Sequence, residues 1–451
     1  MTAGMFDSFI TRYWFSTAAK EIWSDIQTLQ AWLDVEAALA EAQARLGVIP
    51  AEVAPIIKEA CRHERFDTDR LSREIAHAQH PFVPVLRQLE EFSGEPAAGY
   101  IHWGATTQNI FDTGAALQMK RTQALIDNSL ASVESVLIQL ATQHRNTLQA
   151  GRTHGQHALP MTFGFKVTGW LEEVRRDRLR LKDRLKSSFV ACLGGAIGTF
   201  AAMGEKGPAV EVEMAAILDL EPAVLPMRSS YDRVSDYVCA LALLSGTAEK
   251  IAQDIVFMQR TEIGEIEEAF HMGKVGSSTM AQKRNPSTAL MLISLCRMMS
   301  IRLPLVIGSM VRIDEGDSSA SNVSDVAIPE VGILGASIAD TLARLVTGLN
   351  VDVDVMRRNA EITNGLIVSE AAMMQLSDRI GRHHAHHLLY EAAQRSVMES
   401  VPFTQAIAEH PQMAGRNMVT LDVGAYTGES GRLVDRLAGR TDIDRQEIAQ
   451  R

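Results

Sequence analysis

The chain has 451 residues, 46% hydrophobic and 22% charged, with a formal net charge of -11. That balance is globular rather than disordered, long enough for more than one domain, and lacks the basic block that would track a nucleic-acid backbone. Four scattered cysteines, Cys61, Cys192, Cys239 and Cys296, argue against a disulfide framework or zinc site, and no leader pattern or stretch approaching a membrane span is evident, so the cytoplasm is expected.

Thr11-Arg12-Tyr13-Trp14-Phe15-Ser16-Thr17 is aromatic and unpatterned, in the simplest reading a packed N-terminal strap. From Trp23 to Leu46 apolar residues recur at three- and four-residue steps, which predicts a helix stopped by Gly47, and Pro50 opens a short one after it. Residues 67 to 97 predict a further helical region broken at Pro81 and Pro84. His77 and His80 fall within it, and a histidine at a helix break is as readily a cap as a functional group. Thr106, Thr107 and Gln108 precede a long helical run predicted over 110 to 147. Near a helix start their hydroxyl and amide donors, together with unpaired backbone N–H groups, favour an anion; in isolation they are only a capping segment. Gly151-Arg152-Thr153-His154-Gly155-Gln156 is the next polar stretch, and Met161-Thr162-Phe163-Gly164 leads into a charged amphipathic helix. Gly194-Gly195-Ala196-Ile197-Gly198-Thr199 lacks GxGxxG spacing, a preceding strand pattern and a Walker lysine, which argues against a nucleotide loop.

Residues 232 to about 269 form the longest periodic segment, with Leu244, Ala248, Ile251, Ile255 and Met258 at steps of three or four. As a helix it would reach roughly 55 Å. Its length, matched by 110 to 147 and by segments from 287 onward, predicts an all-α extended bundle with β alternation nearly absent. Between two apolar helices lies Gly276 to Pro286, GSSTMAQKRNP, with no hydrophobic period. Loops placed by rigid scaffolds often hold chemistry, and here Ser277 offers a base or nucleophile and Lys283 a carboxylate partner. A plain Ser/Gly/Asn connector with Pro286 opening the next helix is the competing reading. Asp314 to Asn322 reads as an acidic, flexible stretch ending near Pro329, with the wrong ligand spacing for a calcium loop. His383, His384, His386 and His387 share a helix, but no carboxylate or cysteine cluster joins them and no metal is expected.

Three of these stretches, in this order, resemble the signatures of the fumarase/aspartase (fumarate lyase) superfamily: His102-Trp103-Gly104-Ala105-Thr106-Thr107-Gln108-Asn109, Gly151 to Gln156, and Gly276 to Pro286. The likeness covers essentially residues 10 to 440 and runs closest to the adenylosuccinate lyase and 3-carboxy-cis,cis-muconate cycloisomerase branch. It implies a three-domain fold: an N-terminal helical domain (1–108), a central long-helix bundle (109–355) with a mobile catalytic loop (274–287), and a small C-terminal helical domain (356–451). A homotetramer with a shared twenty-helix core, each active site drawing on three subunits, is implied as well. The implied reaction is anti elimination of fumarate from a succinylated amine through an aci-carboxylate intermediate, without cofactor or metal. Carried over residue by residue, Ser277 is the base, and Lys283, Asn285, Thr106, Thr107, Gln108 and Thr153 bind the substrate. His154 orients substrate or protonates the leaving group, and His80 stands where a proton-handling histidine lies. The expected partner is a small dicarboxylate or polycarboxylate, with no nucleic acid and no membrane.

The chain departs from the superfamily pattern at several positions. Ala281 replaces a proline, Asn109 an aspartate, and Leu290 a glutamate seven residues beyond the loop lysine. The arginine of a substrate-side Glu-Arg-Asp or His-Arg-Asp loop is missing near Asp317, and Arg312, just ahead of it, is expected to compensate in part. Arg12-Tyr13 resembles a nucleotide-phosphate contact, whereas Phe15-Ser16-Thr17 and Ile22-Trp23-Ser24-Asp25 resemble the cycloisomerase. These departures favour a small substrate over a nucleotide and keep 3-carboxy-cis,cis-muconate cycloisomerization as the alternative. A catalytically dead scaffold would lose the loop, so retention of Ser277, Lys283, Asn285 and His154 counts against one.

Overall fold

The computed structural model describes residues 5–271, 276–415 and 420–439. Sixteen α-helices dominate the described residues, in keeping with the all-α expectation, and the strands are short. The chain divides into two compact units: Met1–Leu130, Arg176–Glu249 and Met291–Thr341 form one, and Ala131–Arg175, Lys250–Leu290 and Leu342–Arg451 the other.

In the first unit the predicted N-terminal helix runs Asp25–Arg45, capped by Ser24, whose hydroxyl accepts the Gln27 N–H at 3.3 Å. Leu29, Leu33, Val35 and Leu39 bury its apolar face. Trp32 from this helix stacks on Phe111 at 4.4 Å and meets Phe82 edge-on at 5.8 Å. That aromatic cluster fixes the start of the Thr107–Gln143 helix, which has 37 residues and a length of about 55 Å. Phe163–Ser188, Asp232–Met258, Ser287–Gly308 and Ser318–Thr347 are the other long helices.

Three expectations are corrected. The periodic run from 232 stops as a helix at Met258 rather than near 269. Gly264 adopts φ +61°, the Glu265 N–H donates to the Met258 carbonyl at 2.9 Å, and Ile266–Glu267 then pairs with Asn350–Val351. Secondly, the acidic stretch from 314 is not a loop as far as Pro329. The Asp317 carboxylate accepts the Ser319 N–H at 2.9 Å and its hydroxyl at 2.6 Å, and a helix starts at Ser318 and runs through Pro329 to Thr347. Pro329 removes one i−4 bond, but Ala327, Ile328, Val331 and Leu334 bury the helix around it. Thirdly, Thr107–Gln143, Ser287–Gly308 and Ser318–Thr347 are long and apolar enough to cross a membrane by length and composition, although no stretch was expected to approach a span. Only a third of the apolar window is buried inside the chain in the first two, so these helices are apolar beyond the face that their own core uses.

The second unit contains a hairpin that the helical reading of the sequence misses. Leu148–Thr153 and Gln156–Thr162 pair antiparallel with Thr153 opposite Gln156. The two turn residues, His154 and Gly155, have φ of 52° and 77°, the left-handed pair that a two-residue hairpin turn requires. Leu148 and Ala150 bury against Ala360, Ile367, Val368 and Ala371. A separate C-terminal core gathers Leu376, Leu388, Phe403 and Ile407.

Candidate active site

The Thr106–Gln108 motif lies at the head of the Thr107–Gln143 helix in the first unit. Asn109, nearly fully buried, accepts the Thr106 N–H on its side-chain oxygen at 3.0 Å, and its own N–H donates to the Thr106 carbonyl at 2.9 Å. A neutral amide therefore closes the turn here without placing a charge beside the helix start. Gln108 donates to Asp112 at 2.7 Å, one turn along the same helix, and enclosure away from water pushes the Asp112 carboxyl above its ordinary range. Behind the motif, the buried Glu36 carboxylate takes the His102 N–H at 3.2 Å and its imidazole Nδ1 at 2.6 Å. His80 is a helix cap: its Nδ1 accepts the N–H groups of Phe82 at 3.2 Å and Val83 at 3.1 Å at the start of Val83–Ser93.

A polar cavity of about 270 Å³ opens beside Gln108 in this unit. Arg228 and Arg312 line it with Asp317, Ser318 and Ser321. Arg312 is committed to the framework: Nε donates to the Ser309 carbonyl at 3.1 Å, one terminal nitrogen to the Arg228 carbonyl at 3.0 Å, and the other to the Ser324 hydroxyl at 3.2 Å. Its guanidinium also lies over the Tyr231 ring at 4.0 Å. Arg312 does not stand in freely for the missing loop arginine. Arg228 is the residue that motif reading passed over, because no local pattern marks it.

In the second unit Thr153 and His154 sit exposed at the hairpin tip. Beneath the tip, the fully buried Glu265 carboxylate is held by Arg152, by Gln149 at 2.9 Å and by Asn359 at 3.0 Å. Burial alone would raise the Glu265 carboxyl, but these donors hold it below the ordinary carboxylate value. His157, on the returning strand, is held below the usual imidazole range by burial and by the Arg152 charge.

The same unit carries the serine loop, whose first expected residues, 274 and 275, lie outside the described ones. Ser277 Oγ accepts two backbone N–H groups, from Thr279 at 3.2 Å and Met280 at 2.9 Å. Asn285 donates its amide to the Gly276 carbonyl, and the Lys283 N–H donates to the Met280 carbonyl at 3.1 Å, so the loop is folded on itself. The Lys283 side chain is exposed, as is Ala281. Glu268 accepts the Thr288 N–H at 3.1 Å and the Ala289 N–H at 2.7 Å and so caps the helix that Pro286 introduces. Leu290, in that helix's first turn, is 48% exposed. Among the described residues no hydrogen bond joins Ser277, Lys283 or Asn285 to Thr153 or His154, so the hairpin and loop groups are separately built.

Comparison with known proteins places this geometry in context. A family described as Lyase matches residues 15–300, and one described as Adenylosuccinate lyase C-terminus matches residues 365–437. The chain is 37% identical over 441 residues to an N-acetyl-S-(2-succino)cysteine lyase of Enterococcus italicus, covering 96% of this chain and 97% of that one. It is 33% identical over 437 residues to a 3-carboxy-cis,cis-muconate cycloisomerase of Bradyrhizobium diazoefficiens, covering 95% and 97%. Among solved structures, a 3-carboxy-cis,cis-muconate lactonizing enzyme from Pseudomonas putida superposes with a TM-score of 0.89 at 34% identity, covering 96% of this chain and 98% of that one.

Proposed function

The chain belongs to the fumarase/aspartase (fumarate lyase) superfamily and is an enzyme of it, and from that premise we propose that it releases fumarate by anti elimination from a small succinylated compound. The observation that carries this reading is the pair of backbone N–H groups aimed at Ser277 Oγ. A serine hydroxyl is a poor base, and donors already directed at its oxygen stabilise the alkoxide that proton abstraction needs. In this reading Ser277 takes the proton beside a carboxylate, and charge builds on that carboxylate. Lys283 and Asn285 supply donors to it, as do Thr106, Thr107 and Gln108 at a helix start. Thr153 contacts the substrate, and His154 orients it or protonates the departing heteroatom. His80 keeps its capping bonds through Nδ1 and offers the substrate its Nε2.

The sequence favours a C–N bond as the one broken, and the relative acting on N-acetyl-S-(2-succino)cysteine widens the expectation to a C–S bond. The apolar helix faces left open in the chain support assembly into a homotetramer with shared active sites. The test is direct. Purified protein is incubated with succinylated thiols, succinylated amines and adenylosuccinate, and fumarate is followed by its ultraviolet absorbance; no fumarate from any of them sinks the proposal. A second reading, cycloisomerization of 3-carboxy-cis,cis-muconate, is favoured by the similarity to the lactonizing enzyme and by Leu290 where the lyases carry a carboxylate. A lactone formed from the muconate, with no fumarate from the other compounds, would select it.

A further inference from the structure

The missing arginine near Asp317 leaves a space, and another residue fills it. Gly316 lies in the cavity lining, and a Cβ placed on it would sit 3.2 Å from the Arg228 Cζ and 3.3 Å from both terminal guanidinium nitrogens. A side chain at 316 would therefore press on the observed guanidinium, and one as long as arginine would contend with Arg228 for the same space. Arg228 is delivered there by the turn after Pro226, which packs closely on the glycine loop. A Cβ on Gly198 would meet the Pro226 carbonyl oxygen at 2.6 Å, and Gly198 itself has φ +91°. One terminal nitrogen of Arg228 donates to the Ala196 carbonyl of that loop, which anchors the guanidinium at one corner.

The rest of the guanidinium is uncommitted. Nε of Arg228 is buried with no hydrogen-bond partner, and among the described residues no carboxylate lies within ion-pair distance of it. A buried donor without a partner is destabilising, and native folds keep such groups mainly where something else completes them. Arg312 in the same cavity has its donors spoken for, so Arg228 is the cation with capacity to take a ligand. Gln108 lines the cavity too, which connects it to the motif that grips substrate in the proposed function.

We propose that Arg228 is a specificity residue that binds a carboxylate on the leaving group, so that the preferred leaving group is an amino-acid-like thiol or amine. This rests on the elimination reading above. Size and charge both limit the ligand. A cavity of about 270 Å³ is at or below the small end of ligand sites, roughly 300–1,000 Å³, which favours a small ligand. Asp314, Glu315 and Asp317 share the lining, and their negative charge disfavours a dianion such as a phosphate while leaving acceptors for an amide or ammonium N–H. A single carboxylate flanked by an N–H, as on an α-amino acid or its N-acyl derivative, meets both requirements.

The experiment compares two compounds that differ by one group: N-acetyl-S-(2-succino)cysteine and N-acetyl-S-(2-succino)cysteamine, which lacks the α-carboxylate. Fumarate release is measured for the wild-type protein, Arg228→Gln, Arg228→Lys and Gly316→Ala, with melting temperatures to identify folded variants. The wild type is expected to prefer the carboxylated compound in kcat/KM by about 10–100-fold, the range for a hydrogen bond to a charged group. Arg228→Gln should lose that preference through a larger loss on the carboxylated compound than on the cysteamine one, and Arg228→Lys should retain part of it. Gly316→Ala, which crowds the guanidinium without removing charge, should also reduce the preference. Equal losses on both compounds, or a preference untouched by Arg228→Gln, overturn the assignment while fumarate release stands. Calorimetric binding of N-acetylcysteine and N-acetylcysteamine separates the two readings. Arg228-dependent preference for N-acetylcysteine with no fumarate from either compound would sink the elimination and leave the arginine assignment. No binding preference in the wild type would sink the arginine assignment itself.

Discussion

The hairpin and the serine loop belong to the same compact unit and are built on opposite plans. Under the hairpin, Arg152, Gln149 and Asn359 converge on one buried carboxylate, Glu265, and hold a two-residue turn whose exposed tip is His154. In the loop, Ser277, Asn285 and Lys283 bond to backbone groups within the loop itself, at most nine residues away, and most side chains face solvent. The first region spends its polar groups on position, whereas the second keeps its fold local and leaves the Lys283 side chain exposed. Substitutions in the hairpin support should therefore cost stability, and substitutions in the loop should cost turnover.

The largest effect that sharpens this contrast is expected from Ser277→Ala. Turnover on the true substrate should fall about 10²–10⁴-fold, the usual contribution of a positioned acid or base, with the melting temperature unchanged. A variant retaining more than half its rate would make the loop a lid without chemistry. Arg152→Ala is the counterpart in the hairpin support. It leaves Glu265 buried without its charged partner and should lower unfolding free energy by about 3–5 kcal/mol, read from the urea midpoint. A loss of turnover without a loss of stability there would break the comparison.

The same support has a pH signature. The Glu265 carboxyl is held below its ordinary value in the folded chain, so its contribution is present above the unfolded-state value and is lost as the pH falls through the folded one. Acid denaturation should accordingly be less steep in Glu265→Gln than in the wild type, and parallel acid limbs would contradict this. His80→Ala should cost about 1 kcal/mol, the typical worth of a helix cap. A drop in kcat with unchanged stability would instead move His80 into the chemistry. The smallest effect is expected from Arg284→Ala, since the Arg284–Glu267 pair at 3.0 Å is solvent-exposed and such pairs are worth about 0–1 kcal/mol. A larger change in turnover than in stability would show that this pair sets the loop's position.

What the sequence determined by itself was local. Apolar residues at three- and four-residue steps placed the Asp25–Arg45 and Thr107–Gln143 helices, because a helix buries a face whose period is written in the chain. The polar motifs at Thr106–Gln108, Thr153–His154 and Ser277–Asn285 were legible because each interrupts such a period. Tertiary structure decided the rest. Apolar spacing continues past Met258, yet the helix stops there because Gly264 turns the chain and Glu265 finds Arg152 from a distant strand. The sequence records that position 316 has no arginine, but not that Arg228 occupies the space. That depends on the close approach of the Pro226 carbonyl to Gly198 and of a guanidinium to Gly316. No period within either segment encodes a contact between segments so far apart in the chain; only the packed fold brings them together.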